Sequence, residues 1–212
     1  MNFAEELDRI LPQDLPHRAG VIAKAARHLE LVAEANLQFN LTRITGAREA
    51  AIKHVLDSVL PWRLFANAKH VVDAGSGAGF PGVPLALVLP EVRFTLAESI
   101  QKRARFLEAA VDALELHNVD VVPERAEDVL RRRRVDTITA RAVAPVNRAL
   151  SLFVPALKSG ARALLYKGPD AESEIADAAA EARRHKLHLS VISRYDLPDD
   201  LGTRSIVVAQ RG

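Results

Sequence analysis

Residues 70–82 read H-V-V-D-A-G-S-G-A-G-F-P-G. An apolar run ends at Asp73, and four glycines (Gly75, Gly77, Gly79 and Gly82) follow it closely. Glycine reaches backbone conformations closed to other residues and lets the main chain come close to a ligand. A buried strand, a glycine turn and then a helix is how open α/β sheets grip a ligand. A turn without a ligand is a poor competitor, because each glycine costs backbone entropy on folding.

The loop's chemistry narrows the ligand. A phosphate-gripping P-loop ends in G-K-[ST], and this one ends in G-F-P-G. A dinucleotide loop is a closer match. Gly77, Gly79 and Gly82 satisfy G-x-G-x-x-G, and Glu98 lies about twenty residues on, at the end of the next strand-like run. Asp73 argues against it, since D-x-G-x-G-x-G over 73–79 sets an acid beside the ligand. A carboxylate repels a pyrophosphate and attracts a cation. S-adenosylmethionine, with a sulfonium and an ammonium group, has the fitting sign, and Glu98 can accept both ribose hydroxyls.

The rest of the chain agrees with a methyltransferase. Strand-like runs fall at 70–74, 93–98, 119–123, 136–141 and 162–166, separated by helix-like stretches at 83–88, 99–116, 125–133 and 145–158. That alternation predicts a parallel sheet covered on both faces. A helix over 171–185 leads into runs at 188–196 and 203–210, which read as a closing antiparallel hairpin. Before the first strand, Ala19, Ile22, Ala26, Leu29 and Ala33 recur at helical spacing, and 47–60 is a second helical run. The expected fold is α/β of the class I, Rossmann-like methyltransferase type: a seven-stranded, mostly parallel sheet with a helical cap. The boundary is expected between a helical extension, 1–66, and the core, 67–212.

Composition excludes several alternatives. The 212 residues are 49% apolar and 26% charged, with a net charge of +2 and no cysteine. Disulfides, thiolate nucleophiles and cysteine metal ligands are therefore excluded. The chain starts without a signal-peptide pattern, and its apolar runs are too short to span a bilayer. It reads as cytoplasmic, with no membrane partner, no metal and no need for more than a monomer. Only 5% of residues are aromatic, which disfavours a base-stacking surface.

Longer motifs carry a family likeness. D-A-G-S-G-A-G-F-P-G-V-P-L-A (73–86) and L-A-E-S-I-Q-K-R-A-R-F-L (96–107) closely resemble the bacterial RsmG family, also called GidB. N-L-Q-F-N-L-T (36–42), H-V-L-D-S (54–58), A-E-D (126–128), D-T-I-T-A-R-A-V-A (136–144) and Y-K-G (166–168) resemble its other blocks. Ala74 and Ala97 are mild departures. The resemblance implies transfer of a methyl group from S-adenosylmethionine to N7 of one guanosine in 16S ribosomal RNA, free or in a small-subunit particle.

The resemblance implies these site residues. Asp73, Gly75, Gly77 and Gly79 surround the methionine end of the cofactor, Ser76 and Phe80 belong to the same cofactor-binding loop, Glu98 falls at the ribose, and Ala126 and Glu127 at the adenine. Arg141 falls beside the methyl-transfer position, as a substrate-positioning group in place of a general base. Lys102, Arg103, Lys167 and Arg204 fall on basic positions associated with RNA or the cleft. Other residues are read from chemistry alone. An ion pair within the fold is the competing role for Arg141. Arg131–Arg134 reads as a solvated helix end. His54 and Asp57 are expected to hydrogen-bond the cap to the glycine loop, Asn36, Asn40 and Thr42 to cap and turn, and Trp62 to pack between layers. A methyltransferase for another substrate, a nicotinamide oxidoreductase and a non-enzymatic RNA-binding module remain as alternatives.

Overall fold

Helices fill the first third of the chain in a computed structural model, which describes residues 2–212. Helix α1 (Phe3–Ile10) starts where the Asn2 side chain accepts the Glu5 backbone N–H at 3.1 Å, an N-cap that satisfies one free donor of the first turn. Helix α2 spans Arg18–Asn36. Next, α3 (Ala47–Ala50) runs without interruption through a π-helical stretch, Ala51–Leu56, into α4 (Asp57–Val59). Such widened turns collect at functional sites.

The sheet then forms from β1 (His70–Ala74), β2 (Arg93–Ala97), β3 (Val119–Val122), β4 (Thr137–Arg141), β5 (Arg162–Lys167), β6 (Leu187–Asp196) and β7 (Thr203–Arg211). Its spatial order is β3-β2-β1-β4-β5-β7-β6. The first five strands pair in parallel, and β7 runs antiparallel to both its neighbours. Between them lie α5 (Gly82–Val88), α6 (Gln101–Ala113), α7 (Ala126–Arg132), α8 (Val146–Lys158), α9 (Ala171–Asp177) and α10 (Ala179–His185).

Strand alternation divides the core. Successive residues of a strand point to opposite faces, so Val71 joins the cluster containing Leu7, Leu29, Ile52 and Leu107, while Val72 joins Val129, Leu150 and Phe153. The helical cap therefore shares one continuous core with one face of the sheet. The chain order reverses between β1 and β4. At such a switch point the carboxyl ends of neighbouring strands leave a crevice, here between Asp73–Ala74 and Arg141.

Three local features depart from the sequence expectations. Helix α1 was not foreseen, although Phe3, Leu7 and Leu11 repeat every fourth residue and all are buried. Helix α2 buries Val21, Ala25, Ala26, His28, Leu29 and Val32 and exposes Ala19 and Ala33. Alanines spread around that helix, and a histidine inside its buried face, disguised the stripe. The single helix expected over 171–185 is two, broken at Ala178, which is fully buried. No glycine or proline marks that break.

Candidate functional site

The glycine loop is tied to the ends of two strands. Gly75 N and Ser76 N both donate to Ala97 O, at 2.8 and 3.2 Å, so the turn closes over the end of β2. Ser76 Oγ donates back to Asp73 O at 3.0 Å. Asp73 is buried, and its Oδ2 accepts the Gly82 N–H at 3.0 Å while Oδ1 is buried with no partner. Burial pushes the Asp73 carboxyl up to about 6, against the smaller opposing pull of the nearby Ser76 hydroxyl and the Gly82 N–H.

Two glycines are there for close approach. At Gly82 a Cβ would overlap the Leu96 side chain and lie 2.6 Å from Asp73 Oδ2. At Gly75, φ is +68° and a Cβ would meet Val143 at 3.0 Å. Val143 reaches that spot because Ala142 turns the chain with φ +57°, a left-handed conformation that costs a non-glycine residue about 1–2 kcal/mol. Strain of this kind tends to gather at binding sites.

Glu98 faces the loop from the end of β2. Its Oε2 accepts Gly77 N–H at 3.0 Å and its Oε1 accepts Ile100 N–H at 2.8 Å. A carboxylate has about four acceptor sites, so both oxygens keep capacity for a diol. Ala126 is buried at the first turn of α7, and the neighbouring Glu127 lies 3.9 Å from Arg125.

Phe80 is held between two imidazoles. Its ring centroid lies 4.7 Å from that of His28 and 4.5 Å from that of His54, the second pair nearly parallel at 7°. The His28 ring also bonds Ala78 O through Nε2 at 2.9 Å. Burial draws His28 down to about 4. Burial first, and then the Arg141 charge, draw His54 to about 3. Both rings are thus neutral at pH 7, and neutral His28 donates its Nε2 proton to Ala78 O. His54 and Thr42 Oγ1 are 3.0 Å apart, and Asn36 Oδ1 accepts the backbone N–H groups of Leu41 and Thr42. The cap therefore meets the glycine loop by stacking from His54 and a bond from His28, whereas Asp57 points elsewhere.

Asp57 faces Arg141. Arg141 Nη1 donates to Asp57 Oδ2 at 3.1 Å and to Lys53 O at 2.8 Å, the latter a carbonyl of the π-helical stretch. Arg204 Nε lies 3.4 Å from the same carboxylate oxygen. Lys167 reaches Ala144 O and Glu174 Oε2, both at 2.7 Å. Arg141, Lys167 and Arg204 line one cavity of about 460 Å³ with Lys53, Asp57 and Glu174. Four cations and two anions leave it net positive. Lys102 and Arg103 lie apart from it at the start of α6, with Lys102 Nζ 4.2 Å above the Phe39 ring.

Of the run expected to be a solvated helix end, Arg131, Arg132 and Arg134 are exposed, the first two paired with Asp128 and Glu124, whereas Arg133, past the end of α7, is half-buried against Asp120 and Thr95. Trp62 is half-buried against the core with Arg63 over its ring. Sequence reasoning missed Lys53, Glu174 and Tyr195. No local pattern marks Glu174 or Tyr195, which reach the site from elements more than a hundred residues beyond the cap.

Comparison with known proteins gives one consistent result. The family described as GidB, rRNA small subunit methyltransferase G, matches residues 21–199. A ribosomal RNA small subunit methyltransferase G from Solibacter usitatus is 67% identical over 98% of this chain and 99% of its own. One from Carboxydothermus hydrogenoformans is 39% identical over 87% and 81%. Among solved structures, the B. subtilis tRNA methyltransferase TrmK superposes with a TM-score of 0.59 at 16% identity, covering 76% of this chain and 68% of that one. That last likeness concerns the fold alone.

Proposed function

The chain belongs to the GidB family, rRNA small subunit methyltransferase G, and from that premise we propose that it transfers a methyl group from S-adenosylmethionine to N7 of a single guanosine in 16S ribosomal RNA. The observation that carries the cofactor half is the pair of buried carboxylates, Asp73 and Glu98, bracketing the glycine loop at the switch point.

The residues fit that cofactor. Asp73 Oδ1 is a buried acceptor without a protein partner, suited to a cationic amino-acid end. Glu98 keeps lone pairs for a ribose diol, and a Cβ at Gly77 would meet nothing closer than 3.9 Å, so the backbone there is open to approach. Asp73, Gly75, Ser76, Gly77, Gly79 and Phe80 would hold the methionine end, Glu98 the ribose, and Ala126 and Glu127 the adenine. When bound, S-adenosylmethionine supplies an electrophilic methyl group on a sulfonium.

Guanine N7 has an in-plane lone pair and no proton to lose. Attack at N7 therefore requires alignment and no general base, and positioning can supply a large part of the rate enhancement. Arg141 has five N–H donors, and its bonds to Asp57 and Lys53 use only Nη1. The rest of the fork is suited to guanine O6 or a phosphate. Arg204 and Lys167 supply further positive charge, as a phosphate-bearing substrate favours. Lys102 and Arg103 would contact RNA outside this cavity, through phosphates.

The test is methyl transfer from labelled S-adenosylmethionine to small-subunit particles and to naked 16S RNA lacking the modification, followed by nucleoside analysis. 7-Methylguanosine at a single site is the expected product. Retained cofactor binding with no transfer to either substrate would remove the rRNA assignment.

A further inference from the structure

We propose that Asp57, in the helical cap, is the positioning residue for both guanidiniums of the acceptor cavity. One buried carboxylate thereby sets how Arg141 and Arg204 face the RNA. The proposal rests on the reading of that cavity as the guanosine site.

The Asp57 side chain is 2% exposed, and an ionised carboxylate so placed requires several partners. It has them from three separate parts of the chain. Arg141 at the end of β4 and Arg204 in β7 converge on Oδ2 at 3.1 and 3.4 Å. Tyr195 in β6 brings its hydroxyl to 3.1 Å from Oδ1 and 3.0 Å from the Asp57 carbonyl. Burial, followed by the Asp57 charge, raises the Tyr195 phenol far above its ordinary range, so it stays protonated and donates.

The arginines behave as residues held from behind. Their side chains are 17% and 23% exposed, more than the carboxylate they share, and both line the cavity. Arg141 is fixed at a second point by Lys53 O, the carbonyl presented one turn earlier. A guanidinium anchored through one nitrogen keeps a defined orientation for the others, which a flexible cationic side chain lacks. The carboxylate also offsets one of two neighbouring positive charges, which would otherwise drive the arginines apart. Tyr166 adds a further tie between sheet and cap, its hydroxyl donating to Ser58 O at 2.7 Å. The cap is therefore coupled to the acceptor cavity through Asp57, and to the cofactor loop through Phe80 and the two histidines.

The experiment compares wild type, Asp57→Asn and Tyr195→Phe in steady-state methylation of small-subunit particles, with S-adenosylmethionine affinity measured separately by calorimetry. Asp57→Asn keeps the shape and removes the charge. The expected result is a fall in kcat/KM for the RNA substrate of about a hundredfold, in the range found for loss of a buried charged partner. Cofactor affinity should stay within about twofold, because Asp73 and Glu98 are untouched. Tyr195→Phe removes one donor to the carboxylate and should cost only a few-fold, again without change in cofactor binding. An Asp57→Asn enzyme with wild-type kcat/KM overturns the proposal. So does a variant whose cofactor affinity and cooperative melting fall in step with its activity, because that is the behaviour of a merely structural residue. If wild type itself makes no 7-methylguanosine, the reading of the site has failed, and that outcome is distinct from either.

Discussion

Acidification should destabilise this protein well before its surface carboxylates are protonated, because of the two imidazoles that enclose Phe80. His28 sits at about 4 and His54 at about 3 in the folded chain, against 6.5 for the free side chain. Both shifts are downward, so between pH 6.5 and 4 the unfolded chain binds more protons and stability falls as pH falls. At pH 5 each histidine removes about 2 kcal/mol relative to pH 8. Asp73 acts in the opposite direction. Its folded value of about 6 lies above the ordinary 3.8, so its contribution is full at low pH and is lost as pH rises through 6. At pH 5 it returns about 1.4 kcal/mol. His70, also drawn down by partial burial, adds to the loss. The net expectation is a loss of about 2.5 kcal/mol, which is large beside a typical total of about 5–15 kcal/mol. Urea unfolding at pH 8 and pH 5, without cofactor, should show the midpoint falling by about 1 M at pH 5. His28→Leu and His54→Leu should each be less stable at pH 8 yet lose only about a quarter as much on acidification, because one remaining histidine is largely offset by Asp73. A midpoint unchanged between the two pH values rules out this role for the two histidines, as does a fall of full size in both variants.

The remaining predictions concern the cofactor loop. Cofactor affinity should weaken about tenfold per pH unit below about 6, as Asp73 takes up a proton and loses the charge that faces a cation; calorimetry between pH 7 and 5 should show this in wild type and a weak, flat profile in Asp73→Asn. Glu98→Ala removes the acceptor of Gly77 and Ile100 N–H groups and should weaken cofactor binding by about 10- to 100-fold, and unchanged affinity would move the ribose elsewhere. Gly82→Ala drives a methyl group into Leu96 and Asp73 and should cost about 1–3 kcal/mol, visible as a lowered melting temperature. A neutral effect would mean that the contact relaxes freely.

The fold was readable along the chain because its signals are local. Strand runs of buried apolar residues, a glycine turn after the first of them and helical stretches between are each written within about a dozen neighbours. The seven strands, the last two forming the closing hairpin, lie within a residue or so of their expected bounds. The acid at the end of β1 and the one just after β2 could be named for the same reason, since each sits at the carboxyl end of its strand-like run, beside the glycine turn. The α1 helix and the break at Ala178 were less legible: the first is short, and the second is imposed by burial of an alanine with no turn-forming residue beside it.

What the chain order alone cannot specify is which side chains meet. The sheet, the glycine loop and the signs of its charges can be read along the chain, because they depend on residue type and on spacing within single units. That Asp57 meets Arg141, Arg204 and Tyr195, partners 84, 147 and 138 residues away, follows from how the elements pack. The same packing stacks His54 on Phe80 while Asp57, three residues on, turns to Arg141 and Arg204. A widened helical turn and a shared hydrophobic core set those directions, and both arise from packing between elements that carry no mark of one another in sequence.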